Sequence, residues 1–155
     1  MKIKRLVLLL LILGLIILLF SAENLKRSGR KVELAKVIEV IDGDTIRIEN
    51  GKRVRLIGID APEKGEKCYR EAKEFLKKLV LGKIVRLEAD KLDKDIYGRL
   101  LRYVYLNDTF VNLILLRKGY AHSFIKLPNT KYSKIFQEAE RYARKFKEGC
   151  LWKGG

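Results

Sequence analysis

The segment Thr45-Ile46-Arg47-Ile48-Glu49 alternates polar and apolar side chains with a period of two, and Asn50-Gly51 follows it directly. That alternation is the signature of a half-buried β-strand, and Asn-Gly is the strongest short-range hairpin signal. Lys52 to Ile59 therefore returns as the partner strand. Upstream, Lys31 to Ile41 carries Val32, Val37, Ile38, Val40 and Ile41 and reads as a strand. Ile84 to Ala89 and Leu100 to Leu106 are two more. Helical spacing appears elsewhere. Tyr69 to Leu81 sets Ala72, Phe75, Leu76, Leu79 and Val80 on one stripe, with Gly82 placed to end it. Val111 to Lys118 is a short helix stopped by Gly119. Ser133 to Glu148 carries Ile135, Phe136, Ala139, Tyr142, Ala143 and Phe146 on one face, with Ser133 as its N-cap. Five short strands, the first three consecutive, with a helix after the third and more at the end, predict an α+β fold. The expected form is a five-stranded Greek-key β-barrel of the OB type with three helices.

An N-terminal hydrophobic helix is expected ahead of the barrel. Lys2, Lys4 and Arg5 precede an apolar run from Leu6 to Phe20. A basic stretch followed by such a run is the pattern of an export signal. As a helix it reaches roughly 22 Å, short of a full hydrocarbon core. The flank is a poor cleavage site, since Phe20 is not small. Residues 1–22 are thus either a signal peptide or a membrane anchor, residues 23–31 a linker, and residues 32–155 the folded domain. The domain is expected to be secreted, or anchored in the cytoplasmic membrane through residues 6–22 with the domain outside.

Charge narrows the partner. The chain holds 34 Lys plus Arg against 19 Asp plus Glu. Three of the basic residues lie in the first 22, which leaves the remainder an excess of 12. A folded body so basic implies a polyanion, either nucleic acid or an anionic membrane surface. Two cysteines and one histidine exclude a zinc finger or ribbon built on four such ligands. Chemistry falls to carboxylates, arginines and a hard metal.

Asp42, Asp44, Asp60 and Glu63 supply that set. Asp42-Gly43-Asp44 occupies the turn between the first two strands, and Asp60-Ala61-Pro62-Glu63 leaves the third. The hairpin brings both groups to one end of the sheet. Mirroring about Asn50-Gly51 puts Ile57 opposite Asp44, so a bend must draw Asp60 back. Convergent carboxylates repel unless a cation separates them, either a hard divalent ion or an arginine. Arg55 lies on the hairpin strand, and Arg99 follows Tyr97-Gly98. Guanidinium groups grip phosphate oxygens, and a carboxylate such as Glu63 can take a proton from water. Together these describe phosphodiester hydrolysis.

The joint order resembles the staphylococcal nuclease (thermonuclease) family. The matching residues are Val40-Ile41-Asp42-Gly43-Asp44-Thr45, Arg55 through Glu63, Asp95-Ile96-Tyr97-Gly98-Arg99, Val111-Asn112 and Arg117-Lys118-Gly119-Tyr120-Ala121. The resemblance implies an OB barrel with three helices that cleaves DNA and RNA with Ca2+; a monomer is expected. It implies that Asp44, Asp60 and the carbonyl of Ala61 hold the metal, with Asp42 behind them. It casts Arg55 and Arg99 as phosphate-binding catalytic residues, Glu63 as general base and Tyr97 as a substrate contact. Ala61 stands where the family commonly has threonine, Ile96 replaces a phosphate-binding lysine, and Phe124 to Pro128 lacks the paired tyrosines of the base pocket. Tyr120 or Phe124 is placed to compensate.

A non-catalytic nucleic-acid-binding OB module is the rival reading, but a pure binder gains nothing from four acids facing a polyanion. A basic membrane-surface protein would explain the charge and not the order of acids and arginines. His122 is expected at the surface, away from the acids, and Trp152 packed against the barrel. Lys73, Lys77 and Lys78 read as a solvated helix face that also steers a polyanion. Export would permit a Cys68–Cys150 disulfide, if the C-terminal segment folds back over the barrel; otherwise the two thiols stay apart.

Overall fold

A computed structural model of the chain describes residues 12–16 and 33–153. Residues 12–16 are helical; the rest of the leader and the linker at 23–31 lie outside the described residues. Among the described residues no helix is long and apolar enough to cross a membrane. The chain divides into two units, Met1–Val32 and Glu33–Gly155, and the second holds the barrel.

Eight strands and four helices make up this second unit. They run β1 (Glu33–Asp42), β2 (Thr45–Ile48), β3 (Arg53–Leu56), β4 (Ile59–Asp60), α1 (Tyr69–Val80), β5 (Ile84–Glu88), β6 (Leu100–Leu106), β7 (Thr109–Phe110), α2 (Val111–Arg117), β8 (His122–Ser123), α3 (Ser133–Lys145) and α4 (Gly149–Trp152). The sheet order is β3-β2-β1-β5-β6-β7, and β6 pairs back onto β3 in parallel, with Val54 opposite Leu100. That last pairing closes a five-stranded barrel and removes its open edges. The long strand β1 serves two neighbours, with Glu33 to Lys36 on β5 and Val37 to Asp42 on β2. Its register slips between Val37 and Glu39, and its buried positions move from Ala35 and Val37 to Val40. An extra residue in a strand flips which face is buried and sharpens its bend, which is how β1 turns the barrel corner.

The core is the barrel interior capped by helices. Ile46, Ile48, Val54, Leu56 and Val85 from the strands meet Ala72, Leu76 and Val80 of α1, Leu115 and Leu116 of α2, and Phe136 of α3. The α3 stripe is narrower than its sequence promises. Phe136, Ala139 and Ala143 are buried, while Ile135, Tyr142 and Phe146 stay exposed. Ser133 does not cap this helix; Tyr132 holds that position, with no side-chain cap bond.

The hairpin differs from expectation by one residue. Gly51 N–H donates to Ile48 O and Ile48 N–H to Lys52 O, with Gly51 alone at positive φ. This is a three-residue loop over Glu49-Asn50-Gly51, and it pairs Thr45 with Arg55. The returning strand ends at Leu56 instead of continuing to Ile59, because Gly58 turns the chain at φ 78°. A Cβ there would lie 2.5 Å from the Phe136 ring, so only glycine lets α3 pack on the bend. The buried Asn112 of α2 fastens it: Asn112 Nδ2 donates to Ile57 O at 2.9 Å, and Val104 N–H donates to Asn112 Oδ1 at 2.9 Å.

The C-terminal segment folds back. Leu151 N–H donates to Gly119 O, which holds α4 against the end of α2. Cys150 in α4 is bonded to Cys68, the residue before α1, with Cα atoms 5.6 Å apart. The bridge spans 82 positions of sequence. Replacing both cysteines by serine should therefore lower the unfolding free energy by about 4 kcal/mol. Thermal melts of wild type and double variant read that loss directly, and an unchanged Tm would show that the bridge does not brace the fold.

Candidate active site

Two acid-bearing loops meet at one end of the barrel because their backbones come unusually close. A Cβ on Gly43 would lie 2.6 Å from Ala61 Cβ and 3.0 Å from Ala72 Cβ. Glycine between Asp42 and Asp44 is what allows the Asp60-Ala61 segment and α1 to sit against this turn. Asp44 is consequently buried, at 6% exposure. Its Oδ2 accepts from Ala61 N–H at 2.8 Å and its Oδ1 from the Thr45 hydroxyl at 2.9 Å.

Arg55 stands between the carboxylates. Its Nη2 is 3.1 Å from Asp44 Oδ2 and 2.8 Å from Asp60 Oδ1. Its Nη1 donates to Leu56 O at 2.8 Å and to Ile59 O at 2.7 Å, on both sides of the Gly58 bend. Both terminal nitrogens are thus occupied, and Nε–H is the donor left. A free two-pronged fork toward phosphate, expected from sequence, is not what Arg55 presents; it first holds the two acids and the bend together.

Burial pushes the Asp44 carboxyl up to about 6 from 3.8, against the lowering effects of Arg55, the Ala61 N–H and the Thr45 hydroxyl; Asp42 adds to the rise. One guanidinium shared with Asp60 leaves this carboxylate short of positive charge. The donor set fits a hard cation. Asp44 and Asp60 offer carboxylate oxygens and Ala61 a carbonyl, and Asp60 Oδ2 accepts no hydrogen bond among the described residues. Among those residues no group of three or more His, Cys, Asp or Glu side chains gathers as a ready metal cage. Carbonyl and water oxygens would complete the shell, as hard ions accept and zinc sites do not.

With Leu101 opposite Arg55 in the parallel pairing, Arg99, two residues earlier and just ahead of β6, falls level with Arg53 at the start of β3. Arg99 Nε donates to Asp95 Oδ2 at 2.6 Å, and Asp95 Oδ1 accepts from the Tyr97 and Arg99 backbone N–H groups, each at 3.0 Å. Partial burial works to raise the Asp95 carboxyl, but these bonds from Arg99 and Tyr97 outweigh it and hold Asp95 below the usual range. The terminal nitrogens of Arg99 have no partner among the described residues. Tyr97 is 68% exposed, its ring 5.5 Å from the Arg99 guanidinium.

Glu63 is exposed. Its N–H donates to Glu66 Oε2 at 2.7 Å and Glu66 N–H donates back to Glu63 O at 2.9 Å, a reciprocal turn that fixes the backbone while leaving the Glu63 carboxylate unbonded among the described residues. Asp42 is half-buried beside Asp44, whose N–H lies 3.4 Å from Asp42 Oδ1. His122 is not remote from the acids, as sequence alone placed it: it is the register partner of Asp60 in the β4–β8 ribbon. Its Nδ1 lies 3.0 Å from Glu140 Oε1, and its ring meets the Trp152 edge. Asp95, Asn112 and Glu140 carry no assignment from sequence. Asp95 and Asn112 did leave a signal, as members of the motifs that carry the family resemblance.

The sequence matches the family model "Staphylococcal nuclease homologue" over residues 53–154. The chain belongs to the staphylococcal nuclease family. It is 38% identical to a thermonuclease of Staphylococcus hyicus over 81% of this chain and 79% of that protein. It is 37% identical to a thermonuclease of Staphylococcus intermedius over 93% of this chain and 94% of that one. Endonuclease YncB of Bacillus subtilis is 37% identical over 83% of this chain and 66% of its own length. The family match begins at Arg53 and so takes in Arg55, Asp60, Glu63 and Arg99, and the Staphylococcus intermedius alignment also takes in the Asp42–Asp44 turn.

The Asp44 environment sets a pH dependence. Its pKa is higher folded than unfolded, so the folded chain binds the extra proton between pH 3.8 and about 6. Stability from this group is present below that window and falls as pH rises through it, by roughly 3 kcal/mol in total. Asp44→Asn has no such proton to lose. In chelator, urea unfolding should therefore show wild type losing stability relative to Asp44→Asn across that window; a constant difference between the two would contradict the assignment.

Proposed function

We propose that this nuclease hydrolyses phosphodiester bonds of DNA and RNA with Ca2+ held by Asp44, Asp60 and the Ala61 carbonyl. The observation that carries the reading is the pair of carboxylates drawn onto one Arg55 guanidinium, one of them buried and short of positive charge. A hard divalent cation held there would supply positive charge to offset the acids beside a phosphodiester. Arg99, with Nε on Asp95 and its terminal nitrogens open, takes up the charge that builds on the phosphate oxygens. Arg55 keeps the two acids at their separation and offers Nε–H to the same phosphate. The unbonded Glu63 carboxylate accepts a proton from the attacking water. Asp42 supports Asp44 from behind, and the exposed Tyr97 ring contacts the nucleotide. The family resemblance supports these roles, apart from the spacing of the acids by Arg55, which rests on its two ion pairs.

In the same reading residues 6–22 carry the domain to the cytoplasmic membrane, and it works outside, cleaved free or anchored, as a monomer. The Cys68–Cys150 bond supports that compartment, since disulfides persist where the surroundings are oxidising.

The full chain should cleave plasmid and RNA with Ca2+, poorly with Mg2+, whose octahedral shell suits an open carboxylate site less well, and not at all in chelator. Full cleavage in chelator would refute the metal requirement. Glu63→Gln and Arg99→Ala should each lower kcat by about 10²-fold or more, with substrate binding held within a few-fold for Glu63→Gln. Arg55→Lys should lose both activity and stability, because an ammonium cannot hold two carbonyls and two carboxylates in one plane. Near-normal turnover in Glu63→Gln would remove that residue from the mechanism.

A further inference from the structure

Beside the turn that carries Glu63 lies an open groove of about 990 Å³ between that turn, the first helix and Tyr120. Lys64, next in sequence to Glu63, lines its near end, and Lys67, Arg70 and Lys78 continue along it. The rings of Phe75 and Tyr120 stack along one wall, centroids 4.3 Å apart at 22°.

The charges on this wall are not balanced. Lys64, Lys67, Arg70 and Lys78 are all exposed, and none enters a salt bridge among the described residues. Three acids share the wall, and one of them is paired. Glu66 accepts from the Glu63 backbone, and Glu74 pairs with Lys77 at 3.6 Å. A backbone amide does not neutralise Glu66, so Glu66 and Glu71 remain against four cations. Arg70 and Lys78 are two turns apart on one helix face, about 12 Å, enough to follow more than one phosphate of a strand. A helix face of solvated lysines needs no groove and no aromatic wall; this one has both, and it opens directly off the proposed catalytic turn.

We infer that this groove seats the flank of a single-stranded nucleic acid, its phosphates on Lys64, Lys67, Arg70 and Lys78 and a base against the Phe75–Tyr120 pair, while the adjoining phosphodiester lies at the acid–arginine site. The inference rests on the proposed nuclease activity for where the strand leads, but the groove's affinity for the strand does not depend on cleavage. Cations following a backbone beside aromatic faces are the usual means of holding single strands without reading sequence. The nuclease therefore favours longer strands, by grip and not by turnover.

The test uses the full chain and fluorescent single-stranded oligonucleotides of about 4 and about 16 nucleotides. Binding is read by anisotropy in chelator, over a range of salt. The triple variant Lys67→Ala, Arg70→Ala, Lys78→Ala should weaken binding of the long strand about tenfold and reduce its salt slope by about 2. Binding of the short strand should be unchanged. A second triple, Lys134→Ala, Lys145→Ala, Lys147→Ala, removes equal charge outside the groove and should leave the long strand's salt slope nearly intact. In the cleavage assay with Ca2+, the groove variant should raise KM for the long strand and leave kcat and the short strand alone. Equal losses for both triples, or unchanged affinity of the groove variant for the long strand, would overturn the inference. A wild-type chain that binds the long strand through the groove yet never cleaves would overturn the nuclease mechanism and leave the groove standing.

Discussion

The Arg55 guanidinium is the contact on which the rest of this end of the barrel depends. Two carboxylates with one of them buried cannot sit together in an apolar wall without a cation, and Arg55 is the cation the chain itself provides. Holding Asp60 requires the chain to leave the hairpin early, and the bend at Gly58 does this. The bend in turn needs its carbonyls satisfied: Leu56 and Ile59 are taken by Arg55 itself, Ile57 by Asn112 and Gly58 by the Phe124 N–H. Asn112 lies in α2, and Phe124 follows β8. A packing helix, a short ribbon and a charged centre are thus coupled through four successive carbonyls, and displacing any of them disturbs the acids.

Much of the barrel was legible because Thr45 to Glu49 alternates and the other main strands are short runs rich in β-branched and apolar residues. What failed was register. Asn50-Gly51 does mark the hairpin, but one left-handed residue instead of two makes a three-residue loop and shifts every pair by one. The strands β4, β7 and β8 are two residues each, too short to carry any period. The same limit hid the nearness of His122 to Asp60, a pairing made through one of those ribbons. In the site, the convergence of Asp44 and Asp60 near Arg55 was legible from their order. The groups that fix them were not: Asn112 bonds Ile57 across 55 positions and Glu140 bonds Ser123 across 17. A polar residue buried by such a contact looks, in sequence, like any polar residue on a helix.

The body's positive excess and its acidic corner are complementary. A net positive surface draws a polyanion over distances limited by salt to about 10 Å beyond contact at moderate ionic strength. The acids alone would repel the same phosphate. Asp44 is buried, so the acids that face solvent are Asp60 and Glu63, with Asp42 half-buried. Burial raises the cost of the Asp44 charge, and that unmet cost is what a cation at the site would relieve. Long-range attraction and local demand for a metal therefore arise from one arrangement.

The disulfide belongs to this arrangement as well. Cys68 sits at φ 79°, a conformation rare outside glycine, at the junction between the Glu63 turn and α1. The strain is tolerable where neighbours on both sides fix the backbone. On one side Glu63 N–H donates to the Glu66 carboxylate and Glu66 N–H to Glu63 O; on the other α1 lays Ala72 against Gly43. Its bond to Cys150 adds a third restraint, through α4 and the close approach of Gly119 to Glu148. The segment that carries Glu63 is exposed and short of apolar contacts, the kind of element that opens first in a folded chain. Tying its far end to the C-terminal helix limits how far the Glu63 carboxylate can drift from the acids that Arg55 holds.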